Sequence, residues 1–299
     1  MKNNQNKGSL YAILSGLCYG LVGYFGVSIM DANLSLCTML FWRFLISSIL
    51  VGIVLICMRK SITEKPVEIL KALFCGAAFY TGTSIIYFIS SNYIGTGLAM
   101  VIFFTYPAII MLFNWFFYKK RIPKTYYIAL ALITVGMILL IDLSTLTYDI
   151  MGIGAGILSA FFYAGYILLS KRADVSPLVS TLMVSLGCML SCFILAQLDH
   201  SFIIPATLLR PGDYEGQAYT VWVNIFGMAI ICTTIPMLLL LESLKNISEE
   251  KASILSVLEP VFVVFFGILL LHETVNIVQI FGVITILSGA LITLLSKKN

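Results

Sequence analysis

Long apolar runs separated by short polar breaks dominate the chain. Ten runs stand out, at about residues 9–29, 36–57, 68–90, 96–117, 125–142, 149–170, 178–198, 219–243, 250–271 and 277–295. A helix crossing ~30 Å of hydrocarbon needs about 20 apolar residues, so each run predicts one membrane-spanning helix. Most connections are very short; the exception, Asp199 to Ala218, carries Pro205, Pro211 and Gly212. No segment is long enough for a soluble catalytic domain. The polar flank Met1 to Lys7 precedes a run without a small-x-small cleavage site, so that run reads as a first span, not a signal peptide. The expected fold class is all-α integral membrane, with ten transmembrane helices.

Composition agrees. Of 299 residues, 60% are hydrophobic and 11% are charged, with a mean hydropathy of +1.02. Soluble domains carry roughly 25% charged residues, so lipid has to be the solvent for most of this surface. The seven cysteines all lie in apolar runs and show no CxxC spacing, as expected of small hydrophobes packed between helices. No metal or other cofactor is implied.

The net charge of +4 matters only through its placement. If the N-terminus is cytoplasmic, then both termini and the even-numbered loops hold 16 of the 18 Lys and Arg residues. The external loops keep only Arg210, and Arg43 lies inside span 2. The positive-inside rule asks for this asymmetry. A multi-pass protein of the inner (cytoplasmic) membrane, with both ends inside, is the expected placement.

An internal repeat is also legible. A shift of 144 residues lays Ile13-Leu14-Ser15 on Ile157-Leu158-Ser159 and Tyr19 on Tyr163, with Gly16-x-x-x-Gly20 over Ala160-x-x-x-Ala164. A shift of 153 aligns Ile94 with Ile247, Ala99 with Ala252, Pro107 with Pro260, Ile133 with Ile286 and Gly136 with Gly289. The expected division is residues 1–148 and 149–299. Each half has five spans, an odd number, so the second half is inverted relative to the first. Inverted repeats supply two near-equivalent conformations opening to opposite sides, the basis of alternating access.

With Trp42-Arg43-Phe44, Thr105-Tyr106-Pro107, Leu258-Glu259-Pro260-Val261, Leu271-His272-Glu273-Thr274 and the late Gly289, this layout resembles the drug/metabolite transporter superfamily, specifically its EamA-type ten-span members. The resemblance covers nearly the whole chain. It implies a central cavity lined mainly by spans 1, 3, 4, 6, 8 and 9, and a cargo such as an amino acid, another small metabolite, a sugar or a drug. One departure is Lys120, where the first repeat of such proteins often carries an acid like Glu273.

Ionisable groups inside a bilayer are functional candidates by default. Three stand out. Glu259, near mid-depth in span 9 and directly before Pro260, suits proton coupling or recognition of a substrate amine; a packing acid at a proline kink is the competing role. Arg43 suits a substrate carboxylate, a partner acid, or snorkelling to the outer headgroups. Glu242, near the cytoplasmic end of span 8, suits gating or structure, satisfied by water or Lys245. Candidate cavity residues are Tyr19, Tyr80, Thr83, Ser84, Tyr87, Tyr106, Tyr163 and Thr233, with Tyr166 and Thr234 beside them. Tyr80, Thr83, Ser84 and Tyr87 share one face of span 3 at helical spacing. Hydroxyls and ring faces suit a small zwitterion or aromatic solute; interhelical hydrogen bonding is the competing role. Trp115, Tyr118, Tyr126, Tyr127 and Trp222, near span ends, read as interface anchors.

The expected function is secondary active transport of a small metabolite, an amino acid or related compound, by alternating access; the resemblance implies export more often than import. Uptake of a nucleoside-like or methyl-donor metabolite and a non-transporting assembly role are the alternatives. A membrane enzyme would need a convergent His/Asp/Glu or Cys/His cluster, and the chain has two histidines, both at or beyond span ends. No GxxxxGK[ST] run supports direct ATP drive. The expected partners are a small-molecule substrate, the lipid bilayer and protons as candidate coupling ions. Nucleic acid is not expected, and a monomer or a homodimer fits equally.

Overall fold

A computed structural model of the chain describes residues 2–25, 34–59, 62–141, 148–202, 221–272 and 274–296. Ten helices account for the ten apolar runs: α1 (Lys2–Tyr19, with further helix to residue 25), α2 (Leu36–Cys57), α3 (Pro66–Ile94), α4 (Thr96–Tyr118), α5 (Lys124–Leu140), α6 (Ile150–Arg172), α7 (Pro177–Leu198), α8 (Val221–Asn246), α9 (Glu249–Leu271) and α10 (Ile277–Leu295). Among the described residues, nine are long and apolar enough to cross a membrane; α5, with 17 residues, is shorter. The protein is an all-α membrane protein. The connection after Asp199, with Pro205, Arg210, Pro211 and Gly212, lies mostly outside the described residues, as does Glu273.

Helix packing repeats the sequence symmetry. Extensive contacts join α5 to α10 and α2 to α7, and likewise α3 to α6 and α1 to α8. A two-fold relation between the halves maps the first two pairs onto themselves and exchanges the last two. Hydrogen bonds between helices obey it. Ser15 Oγ donates to the Pro236 carbonyl at 2.8 Å, and Thr83 Oγ1 donates to the Ser159 carbonyl at 3.4 Å. Ser15 and Ser159 are related by the 144 shift, and Thr83 and Pro236 by the 153 shift. Gly136 and Gly289 face backbone carbonyls of Gly282 and Ala129, which are themselves 153 apart.

The backbone irregularities are paired too. A π-helical turn interrupts α3 at Cys75–Tyr80 and α8 at Ile230–Thr234. In each, a threonine hydroxyl donates to a carbonyl five residues earlier: Thr81 to Gly76 at 3.1 Å, Thr234 to Ala229 at 2.8 Å. Both members of that contact are 153 apart, so the repeat extends into α3. Helices α4 and α9 are each broken in two, into Thr96–Phe103 and Tyr106–Tyr118, and into Glu249–Ser256 and Glu259–Leu271. Proline opens the second segment of both, at Pro107 and Pro260. It cannot return an N–H to the carbonyl four residues back, which loosens the helix there. Each helix then ends on a non-glycine residue in the left-handed region, Lys119 at φ 48° and His272 at φ 55°.

Some boundaries differ from expectation. Helix α1 starts within the polar flank, at Lys2 instead of near residue 9, because that flank lies against the α8–α9 turn: Gly8 sits on Asn246 and Ile247. Two expected interface aromatics are not surface anchors. Tyr126 is buried, and Trp222 packs edge-on against Trp42 with ring centres 5.5 Å apart. Trp115, Tyr118 and Tyr127 are exposed.

The tightest helix crossing is α3 on α7. A Cβ on Gly187 would lie 2.1 Å from the Leu73 carbonyl oxygen, and one on Gly76 2.1 Å from that of Val184. In lipid, helices associate through close packing of this kind rather than through the hydrophobic effect. Gly187→Val is therefore expected to cost about 2–4 kcal/mol, the range of severe overpacking and strain, because backbone is the obstacle. Thermal unfolding in detergent should show a midpoint lowered by several degrees; an unchanged midpoint would mean the crossing tolerates separation.

Candidate functional site

The middle of the bundle is built from the irregular segments. Arg43 projects inward from α2, with 8% of its surface exposed, so it does not snorkel to the headgroups. The chemistry of α8 explains why. Pro236 has no N–H for the carbonyl of Cys232 four residues earlier, and Arg43 Nη2 donates to that oxygen at 2.7 Å. Arg43 Nε donates to Thr233 Oγ1, whose own hydroxyl donates to the Met228 carbonyl at 2.9 Å. The π turn and the proline together thus turn α8 into an acceptor for a buried guanidinium. Arg has five N–H donors, and these two contacts leave some of them for another group.

Glu259 sits at the break in α9, as the first residue of its second segment. Ser256 stands four residues before Pro260, so its carbonyl has lost the usual N–H donor. Helix α1 approaches this opening closely, since a Cβ on Gly16 would lie 3.1 Å from the Ser256 oxygen and 3.4 Å from the Glu259 nitrogen. The Glu259 carboxylate is partly accessible although protein encloses it. Among the described residues it accepts no hydrogen bond and forms no ion pair within 4 Å; the ion pairs present are Lys71–Glu68, Lys120–Glu249 and Lys120–Glu250. It is near enough to Arg43, Tyr80, Tyr87, Tyr106 and Tyr163 to interact with each electrostatically. The bundle therefore holds an acid and a base close together without a contact between them.

Tyrosines pack around this pair. The hydroxyls of Tyr19 and Tyr80 are 3.1 Å apart, bridging α1 and α3. The Tyr80 ring meets Tyr166 edge-on at 5.0 Å, and Tyr106 meets Tyr163 edge-on at 4.7 Å. Tyr87 joins through Phe103 at 5.5 Å, and Phe103 through Tyr163 at 5.2 Å. Tyr106 occupies the place in α4 that Glu259 occupies in α9, and its hydroxyl donates to the Ser253 carbonyl at 3.2 Å. The two halves therefore present a neutral phenol on one side and a carboxylate on the other.

Not every candidate converges. Thr83 and Ser84 spend their hydroxyls on the carbonyls of Ser159 and Tyr80, at 3.4 and 3.0 Å. The face expected of span 3 thus divides: Tyr80 and Tyr87 turn to the centre, and the two small hydroxyls serve the helices. Thr234 joins Ser47 Oγ at 2.8 Å, between α8 and α2. Glu242 lies away from the centre and forms no ion pair with Lys245, whose Nζ donates to the Ala173 carbonyl at 3.0 Å. The seven cysteines are free, and no metal-binding group of His, Cys, Asp or Glu occurs among the described residues.

A second polar cluster went unweighed in the sequence. At the basic end, Glu249 and Glu250 are 7% and 2% exposed. Asn114 Nδ2 donates to one carboxylate at 2.9 Å and to the other at 2.7 Å, and Lys120 Nζ lies 3.3 and 2.7 Å from the same two oxygens. Lys171 Nζ donates to the carbonyls of Leu244 and, at 2.8 Å, Ile247. The cluster ties the end of α4 to the start of α9 across the repeat. Shifted by 153, its members fall on Thr96, Gly97, Gly267 and Glu273, so the other end of the bundle cannot build the same knot. The signal was a lone asparagine inside the apolar run of span 4, and paired acids opening span 9.

Comparison with known proteins places this arrangement. An "Uncharacterized transporter YxxF" of Bacillus subtilis (strain 168) is 24% identical over 294 residues, spanning 96% of this chain and 89% of that one. "Uncharacterized transporter sll1319" of Synechocystis sp. is 25% identical over 242 residues, covering 75% and 66% of the two chains. A solved crystal structure shares the fold with a TM-score of 0.77 at 16% identity, over 96% of each chain. The EamA-like transporter family matches twice, over residues 6–142 and 150–295, once on each side of the repeat boundary. The chain belongs to the EamA-like transporter family.

Proposed function

We propose that this transporter carries a small zwitterionic metabolite, an amino acid or related compound, by alternating access, with export as its direction and protons as the coupling ion. The supporting observation is the Arg43–Glu259 pair: a base and an acid enclosed in the bundle within electrostatic range of each other, with no ion pair between them among the described residues. A solute carboxylate completes the donor set of Arg43, a solute amine meets Glu259, and the tyrosine hydroxyls and rings surround the remainder. Enclosure strengthens both interactions, since few water dipoles compete there. The chain divides near residue 148 into two oppositely oriented halves. Both termini and the basic loops are cytoplasmic by the Lys/Arg distribution, in an inner-membrane setting.

Counterflow in proteoliposomes tests the reading directly, with a panel of amino acids and related metabolites, with and without a pH gradient. Arg43→Gln is expected to weaken a carboxylate-bearing solute by about 10- to 100-fold in half-saturation, the loss of a charge-assisted contact of ~1.5–3 kcal/mol. A solute lacking the carboxylate should change little. Equal losses for both would assign Arg43 to helix packing.

A further inference from the structure

A large apolar groove lies outside the bundle centre. It runs along the lipid-facing side of α3, α4 and α6, encloses about 660 Å³, and is walled by Phe79, Leu112, Phe116, Phe162 and Leu169 among others. Every lining side chain is apolar except one, Arg172, at its basic end. We propose that this groove holds an acyl chain of an anionic phospholipid from the leaflet at the basic end of the bundle, and that Arg172 receives the lipid phosphate.

Length, chemistry and charge all fit that occupant. Leu158 and Arg172 bound the α6 wall, and 14 residues at 1.5 Å each make about 21 Å, from headgroup level to beyond the bilayer midplane. Its volume falls in the roughly 300–1,000 Å³ range of built ligand sites. Arg172 is exposed, and among the described residues no carboxylate lies within 4 Å of it. Its polar contacts are long, 3.3 Å to the Leu168 carbonyl and 3.4 Å to Asn114 Oδ1, so most of its donors remain free. The Tyr118 ring, 4.2 Å from the guanidinium carbon, holds the group at the rim. Lys119 and Arg121 follow Tyr118 in sequence and are exposed, adding positive charge at the same level. Basic pockets between membrane helices at this depth select anionic headgroups. A second copy of this chain would have to bring a carboxylate to the rim, whereas an anionic phospholipid brings its own phosphate anion.

The test is native mass spectrometry of the purified full chain in detergent with equimolar phosphatidylglycerol and phosphatidylcholine. The wild-type protein should retain phosphatidylglycerol about tenfold over phosphatidylcholine, and Arg172→Gln should erase that preference. Leu169→Trp, at a lipid-facing position 43% exposed and free of polar contacts, should fill the groove and lower retention of both lipids. Equal retention of the two lipids by the wild type overturns the proposal. So does an undiminished lipid load in Leu169→Trp, or a lipid-free dimer that cross-links through Leu112→Cys.

Discussion

Glu259→Gln is expected to abolish net pH-driven flux, by tenfold or more, while solute exchange measured at saturating solute stays within about twofold of wild type. The reason is the environment of the carboxylate. It sits at the break of α9 beside a proline, without a hydrogen-bond partner among the described residues, and in the field of Arg43. A group so placed exchanges its proton according to which side the site opens to and whether solute is present. Glutamine keeps the shape and a carbonyl oxygen but carries no proton between sides. Exchange needs only that loaded protein reorient, which glutamine permits; proton-driven export also needs a solute-free return step in which the carboxylate carries a proton inward and releases it, which glutamine cannot do. If pH-driven flux and its pH dependence survive in Glu259→Gln, Glu259 is a packing acid and coupling resides elsewhere.

Lys120→Gln should open the basic end of the bundle. Removing the lysine leaves two buried carboxylates facing each other with only Asn114 as a donor. Breaking a fully buried pair costs about 3–5 kcal/mol; Lys120 is 40% exposed, so roughly 1–3 kcal/mol is expected here. That penalty falls on the conformation in which α4 and α9 are joined at this end, so the equilibrium moves by about 5- to 150-fold towards the one in which they part. The readout is labelling of Ser253→Cys, a buried position beside Tyr106, in a background lacking the seven native cysteines. An aqueous maleimide applied from the basic side should react at least fivefold faster in Lys120→Gln, and adding Glu250→Gln should slow it again. Unchanged labelling would make the cluster a passive contact. Because the opposite end lacks these residues, faster labelling would place the resting preference for one side in this cluster and not in the symmetric frame.

The number of helices, their alternation and the duplicated plan were legible because bilayer physics is severe. A span must be apolar over about 20 residues, and the basic residues must collect on one side. The glycines and prolines of the 153-residue shift reported on backbone geometry, and the kink at Pro260 followed from a missing N–H alone; the matching break before Pro107 came from the structure. Arg43, Glu259 and the tyrosines announced themselves as polar groups where polar groups are costly. Their partners did not. Whether Arg43 snorkelled or turned inward depended on the freed carbonyl of Cys232 on another helix, 189 residues away in sequence. Glu249 and Glu250, at the start of span 9, gave no sign in sequence of the partners that meet them, Asn114 and Lys120.

The sequence by itself therefore determined what kind of solvent surrounds the chain, how often the chain crosses it, and which positions are anomalous there, since each of these is a local or periodic property. Only the tertiary structure decided which anomalous residues face one another, which hydroxyls are consumed by helix packing, and which end of the bundle is tied shut. Those are distances between helices far apart in sequence, and in lipid they are set by close backbone approaches that apolar patterning does not encode.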